Sequence, residues 1–221
     1  MIRIYFWKIR KIDVPWAFLH MAIDRISLWR LQGISFWKLL GAGKGETFTP
    51  RDADPLRWGL IVVIDPNQLN ALENSKLLAR WRNKAISEYS ADLSPISVHG
   101  QWSGNNPFES ISSSDKNWDG PIAAITRARI KWSKNLIFWR SVPPVTSSLH
   151  SSQGLVAAIG IGEAPVGLQG TFSIWTSAEA VRNFAYRGEA HKEAIAATHR
   201  EKWYAEEMFA RFAITRSSGE L

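Results

Sequence analysis

Residues 2–7 read Ile-Arg-Ile-Tyr-Phe-Trp, a density of β-formers that predicts a strand. From residue 14 to about 31 the pattern becomes helical, with Asp13 placed to cap it and Pro15 in the first turn. Strands follow at 34–40 and 57–64, separated by the glycine turn Gly41-Ala42-Gly43-Lys44-Gly45. Residues 69–89 predict a helix broken near Asn74, and residues 96–102 a fourth strand. From Ser103 to Asp119 the chain carries turn chemistry with little to bury, including Gly104-Asn105-Asn106-Pro107 and Ser112-Ser113-Ser114-Asp115. The pattern then repeats. Strands are expected at 122–132, 155–161, 171–175 and 207–214, with a short helix at 134–142 and a longer one from 178, capped by Ser177, to about 199.

Both stretches give the order β-α-β-β-α-β, the split-βαβ or ferredoxin-like order. They also match locally. The stretch from Gly33 aligns with that from Gly154, and Ile61-Val62-Val63-Ile64 with Phe172-Ser173-Ile174-Trp175. The expected fold is α+β: two tandem ferredoxin-like halves, residues 1–104 and 120–221, joined by a linker at 105–119 and packed as an intramolecular α+β barrel. The barrel interior is expected to form a cavity for a large ligand.

Composition narrows the chemistry. The 221 residues contain no cysteine, which excludes disulfides, thiolate-ligated haem, Cys-held iron–sulfur clusters and thiol catalysis. No apolar run approaches the length of a spanning helix, and no charged-then-apolar leader is read, so cytoplasm is the expected compartment. The formal charge is +7 and there are 12 tryptophans, a combination that suits peripheral contact with an anionic membrane face or steering of an acidic protein partner. Nucleic acid is not expected, since no RNA-binding signature or Lys/Arg run occurs.

Familiar motifs fail. Lys44 is followed by Gly45, not Ser or Thr, so the glycine turn is not a phosphate loop. There is no Gly-x-Ser-x-Gly elbow and no His-Glu-x-x-His. Of the five histidines, His191 falls on the apolar stripe of the 178–199 helix with Val181, Phe184, Gly188 and Ile195, and His199 lies at the edge of that stripe. His191 is either a satisfied core histidine or the neutral ligand of a haem, with Gly188 leaving room for a flat group. Arg127 and Arg129 share one face of their strand. They would meet haem propionates if that face lines a cavity, or else form a solvated face or an internal ion pair.

At this point the chain resembles the spheroidene monooxygenases of carotenoid biosynthesis. The resemblance is carried by Gly33-Ile34-Ser35-Phe36-Trp37-Lys38-Leu39-Leu40-Gly41-Ala42-Gly43, by Trp118-Asp119-Gly120-Pro121 with Thr126-Arg127-Ala128, by Ile159-Gly160-Ile161-Gly162-Glu163-Ala164-Pro165 with Gln169 and Thr171-Phe172-Ser173-Ile174-Trp175, and by Phe184-Ala185-Tyr186 with His191 and the stretch from Trp203 to Phe212. It implies an oxidoreductase that uses haem b iron, O2 and an electron-donor protein such as ferredoxin to insert oxygen into a long, apolar, acyclic carotenoid. It also implies kinship with dimeric α+β barrel proteins. Under this resemblance His191 is assigned as the iron ligand with His199 as its rival, and Gly188 and Arg127 join His191 as cofactor-binding residues. A non-catalytic haem or apolar-ligand carrier, or a haem enzyme of this fold with dehydratase or peroxidase-like chemistry, is the alternative.

Overall fold

The structure is a computed structural model that describes residues 1–44, 52–113, 117–134, 149–163, 168–187 and 204–221. The first half contains β1 (Ile2–Ile9), α1 (Val14–Arg30), β2 (Ile34–Gly43), β3 (Ala53–Ile64), α2 (Leu69–Glu73), α3 (Lys76–Lys84) and β4 (Ala85–Gly100). The second contains β5 (Ile122–Ile130), β6 (Leu155–Gly162), β7 (Leu168–Trp175), α4 (Ala178–Arg187) and β8 (Tyr204–Ser218). The strands form one closed barrel in the order β1-β3-β2-β6-β7-β5-β8-β4, every neighbouring pair antiparallel. Each half contributes four strands in the spatial order fourth, first, third, second. The halves join through β4 with β8 and through a short pairing of β2 with β6.

Several elements differ from the sequence pattern. The helical stretch at 69–89 breaks at Asn74, and Ser75 restarts it by accepting a hydrogen bond from the Leu78 N–H. It then ends at Lys84, because 85–89 pair with β1 and Tyr89 turns into the barrel core. Asp13 does not cap α1 with its side chain. Its carboxylate instead pairs with Lys84 (2.8 Å) and Arg10 (2.9 Å), tying the helix start to the end of α3. The helix expected at 134–142 and the continuation of α4 beyond Arg187 lie outside the described residues.

The barrel interior is filled, contrary to the expectation of a cavity. Ile4, Phe6, Ile61, Leu93, Ile125, Phe172, Met208 and Phe212 meet there in one apolar cluster. An eight-stranded barrel is just wide enough for side chains to fill. The stretch after β4 is also more than a spacer. Trp102 and Phe108 are 1% and 2% exposed and close one barrel mouth, Trp102 edge-on to Phe36 (5.5 Å) and Phe108 edge-on to Phe212 (5.1 Å). The turn between them places Ser103 and Gly104 at positive φ, 61° and 85°.

Candidate functional site

Strand alternation gives each half-sheet an inner and an outer face. In the first half the outer face is packed with bulky groups. Tyr5 stacks on Trp7 (5.6 Å), Trp7 on Trp81 of α3 (5.2 Å), and Trp58, Leu60 and Val62 complete the layer beneath α1 and α3. Polar atoms there find partners: Trp81 Nε1 donates to the fully buried Asp24 carboxylate (2.8 Å), which also receives Arg80 (2.5 Å).

The strand registers superimpose the two halves position by position. Ile2 faces Val63 as Ala123 faces Ile174, and Trp37 faces Val62 as Ala158 faces Ser173. On the outer face of the second half this puts Thr126 where the first has Tyr5, Ala128 where it has Trp7, Thr171 for Leu60, Ser173 for Val62, Ala158 for Trp37 and Gly160 for Leu39. Six bulky side chains of the first floor thus have small counterparts, while Ile64 corresponds to Trp175 and Trp58 to Gln169. One end of this small-residue floor is walled by Trp175, Val181 and Leu149, with Phe184 of α4 5.3 Å from Trp175. Among the described residues the second floor is therefore built of smaller side chains than the first, with Ala128, Gly160 and Ser173 buried.

The sequence-derived candidates fall as follows. His191, its rival His199 and Gly188 lie outside the described residues. Arg127 is described, and its position departs from the propionate assignment. It takes the place of Phe6, inside the barrel and on the opposite side of the sheet from the small-residue floor. Its guanidinium is 5% exposed and already holds two carboxylates of this chain, Glu163 (2.9 Å) and Glu206. It also lies over the Trp102 ring at 5.3 Å. The internal ion pair is thus the role the structure gives it. Arg129 projects to the same side, at the exposed rim.

Around Arg127 the mouth is closed by a complete polar network that motif reading missed. Glu163 accepts from Trp102 Nε1 (2.7 Å) and pairs with Lys38 (2.8 Å). Glu206 accepts the backbone N–H groups of Ser103 (3.1 Å) and Gly104 (2.7 Å). Burial works against the ionised Glu206, yet Arg127 and these two N–H groups outweigh it and hold its carboxyl below the ordinary value. Among the described residues two cations and two carboxylates balance in this network, which closes the mouth.

Three other histidines are described: His20, His99 and His150. His20 faces Asp24 at 3.3 Å within the first half, and His99 is exposed on β4. Among the described residues there is no group of three or more His, Asp or Glu arranged to hold a metal ion, and no helix long and apolar enough to cross a membrane.

Fold and site define a tandem ferredoxin-like α+β barrel in which one outer face is filled and the other is floored with small residues. The chain is 35% identical to the spheroidene monooxygenase of Rhodobacter capsulatus over 209 residues, 94% of this chain and 86% of that protein. It is also 35% identical to the spheroidene monooxygenase of Cereibacter sphaeroides over 209 residues, 93% of this chain but 63% of that longer protein, so it spans less than two thirds of that relative. No family model matches. Among solved structures, an aldoxime dehydratase in complex with butyraldoxime shares the fold with a TM-score of 0.62 at 8% identity, covering 96% of this chain and 78% of that one. The chain belongs to the spheroidene monooxygenase family.

Proposed function

We propose that the chain is a haem-dependent monooxygenase acting on a long, acyclic carotenoid. The observation that carries this reading is the exchange of Trp7, Trp37, Tyr5 and Leu39 for Ala128, Ala158, Thr126 and Gly160 between the two floors. Replacing large rings by small side chains on a flat sheet leaves room for a planar group of macrocycle size. The names of the relatives point to the same chemistry. Haem b, when bound, supplies activation of O2 with electrons from a donor protein. Two electrons from the donor and two protons from water would balance the reaction, in which a substrate C–H becomes C–O–H with one oxygen atom and the other leaves as water.

The chain's own residues have separate tasks in this reading. His191 would hold the haem iron, since cysteine is absent and the imidazole lies in the family-like block. Gly188 clears space beside it, and His199 is the rival. Ala128, Ala158, Gly160 and Ser173 form the floor. Trp175 and Phe184 at the end of that floor provide apolar surface that orients the polyene and excludes water. The +7 charge steers an acidic donor such as a ferredoxin.

The test is reconstitution of the purified chain with haem, followed by an assay with an acyclic carotenoid, O2 and reductant. Haem uptake lost in His191→Ala and kept in His199→Ala, with oxygenated product from the parent, is expected. Haem retained in both variants removes the ligand assignment. Haem held without product makes the chain a carrier.

A further inference from the structure

Helix α1 packs on the first half through a mixed face, with Trp16 and Met21 partly buried against the core. Its buried positions are Ala17, Asp24 and Leu28, and the charge of Asp24 is used up by Arg80 and Trp81. The solvent side carries Phe18, Leu19, Ile23, Ile26 and Trp29, with Trp29 81% exposed. At about 100° per residue these five fall in one arc of roughly 140°, opposite the buried face. An apolar stripe of this size is normally covered, and this one is left open to solvent.

Charge identifies what covers the other side. Lys11, Arg25 and Arg30 are exposed on and around the stripe. The acids of this segment, Asp13 and Asp24, are both buried and paired inward, so the helix presents cations alone to solvent. A second copy docked here about a twofold axis would set these cations against their own counterparts. An apolar stripe rimmed by Lys and Arg is instead the form of a helix that lies in the headgroup layer of an anionic bilayer.

We propose that α1 is a membrane-docking surface, with Phe18, Leu19, Ile23, Ile26 and Trp29 inserted at the headgroup–acyl boundary and Lys11, Arg25 and Arg30 on anionic headgroups. The inference is independent of haem and of the oxygenation reading. It places the first half of the barrel against the lipid.

The absence of cysteine makes the test clean, because a single introduced thiol labels one position. Ile23→Cys and Val156→Cys, both at exposed sites, carry an environment-sensitive fluorophore on the full chain. The probes are vesicles of phosphatidylcholine alone and of equal parts phosphatidylcholine and phosphatidylglycerol. The label at 23 should shift to the blue with the anionic vesicles, and the label at 156 should not. Replacing Phe18, Ile26 and Trp29 together by Ser should abolish co-flotation. Replacing Arg25 and Arg30 by Ala should weaken partitioning into the anionic vesicles about tenfold or more. No flotation of the parent chain, or flotation without a shift at 23, overturns the proposal. A parent dimer that becomes monomeric in the triple Ser variant, with flotation unchanged, reassigns the stripe to self-association.

Discussion

Arg127 on β5 and Glu163, one residue past β6, meet at 2.9 Å in the mouth of the barrel, although 36 residues separate them in the chain. The pair occupies space that Phe6 fills in the other half, so an apolar contact at one end of the pseudo-symmetric barrel is an ionic one at the other. Arg127→Met should destabilise the chain by about 3–5 kcal/mol, because it leaves two carboxylates in a site closed from water. Urea unfolding measures this. Any haem bound by the folded fraction should keep its absorption spectrum, since Arg127 lies across the sheet from the small-residue floor.

Acid should loosen the same mouth. Glu206 is held below the ordinary carboxylate value of 4.5, so its contribution to stability is complete above that value and is lost as the pH falls through the depressed one. Glu206→Gln should be less stable than the parent at neutral pH, and its stability should fall less over the acid window. Parallel denaturation curves for the two proteins from neutral pH downward would contradict this.

Trp102 and Phe108 should behave as core residues despite their place between the halves. Truncating either to Ala should cost about 3–5 kcal/mol, as large buried aromatics do. The denaturation midpoint reads the loss. A cost within about 0.5 kcal/mol, typical of surface positions, would mean the stretch is a simple linker.

The small-residue floor makes a prediction of opposite kind. Ala158→Phe restores the bulk that Trp37 has in the first half. Overpacking at this half-buried site should cost no more than about 1–3 kcal/mol, so the chain should still fold, as judged by circular dichroism. Haem uptake should be lost. Full uptake by the folded variant would place the cofactor elsewhere.

The barrel was legible in the sequence because both halves carry the same strand–helix order, and because the match of Ile61 with Phe172 is the register the sheets adopt. Position-by-position comparison of the aligned halves also contained the floor: Trp37 against Ala158 and Leu39 against Gly160 are visible in the chain. The closed interior was not legible, since strand alternation says which residues point inward and not whether they meet. The plug was hidden for a related reason. Glycine, asparagine and serine around Trp102 and Phe108 read as loop, and two rings suffice to bury it. Alternation put Arg127 and Arg129 on one face without saying whether that face is the interior, and the partners Glu163 and Glu206, although inside the blocks that carry the resemblance, are distant in sequence from Arg127.

Among the described residues the two seams that join the halves differ in length. On one side β4 and β8 run together from Ser90↔Ser218 to Gly100↔Met208. On the other, β2 and β6 are described as sharing only Gly41↔Gly162, Ala42↔Ile161 and Gly43↔Gly160, with Lys38 and Glu163 fastening the gap at 2.8 Å. The long side is a spine and the short side a clasp. Local opening follows the least-bonded line. The sheet will therefore part between β2 and β6 while the spine holds, and amide hydrogens along Gly41, Ala42 and Ile161 will exchange before those of β4 and β8.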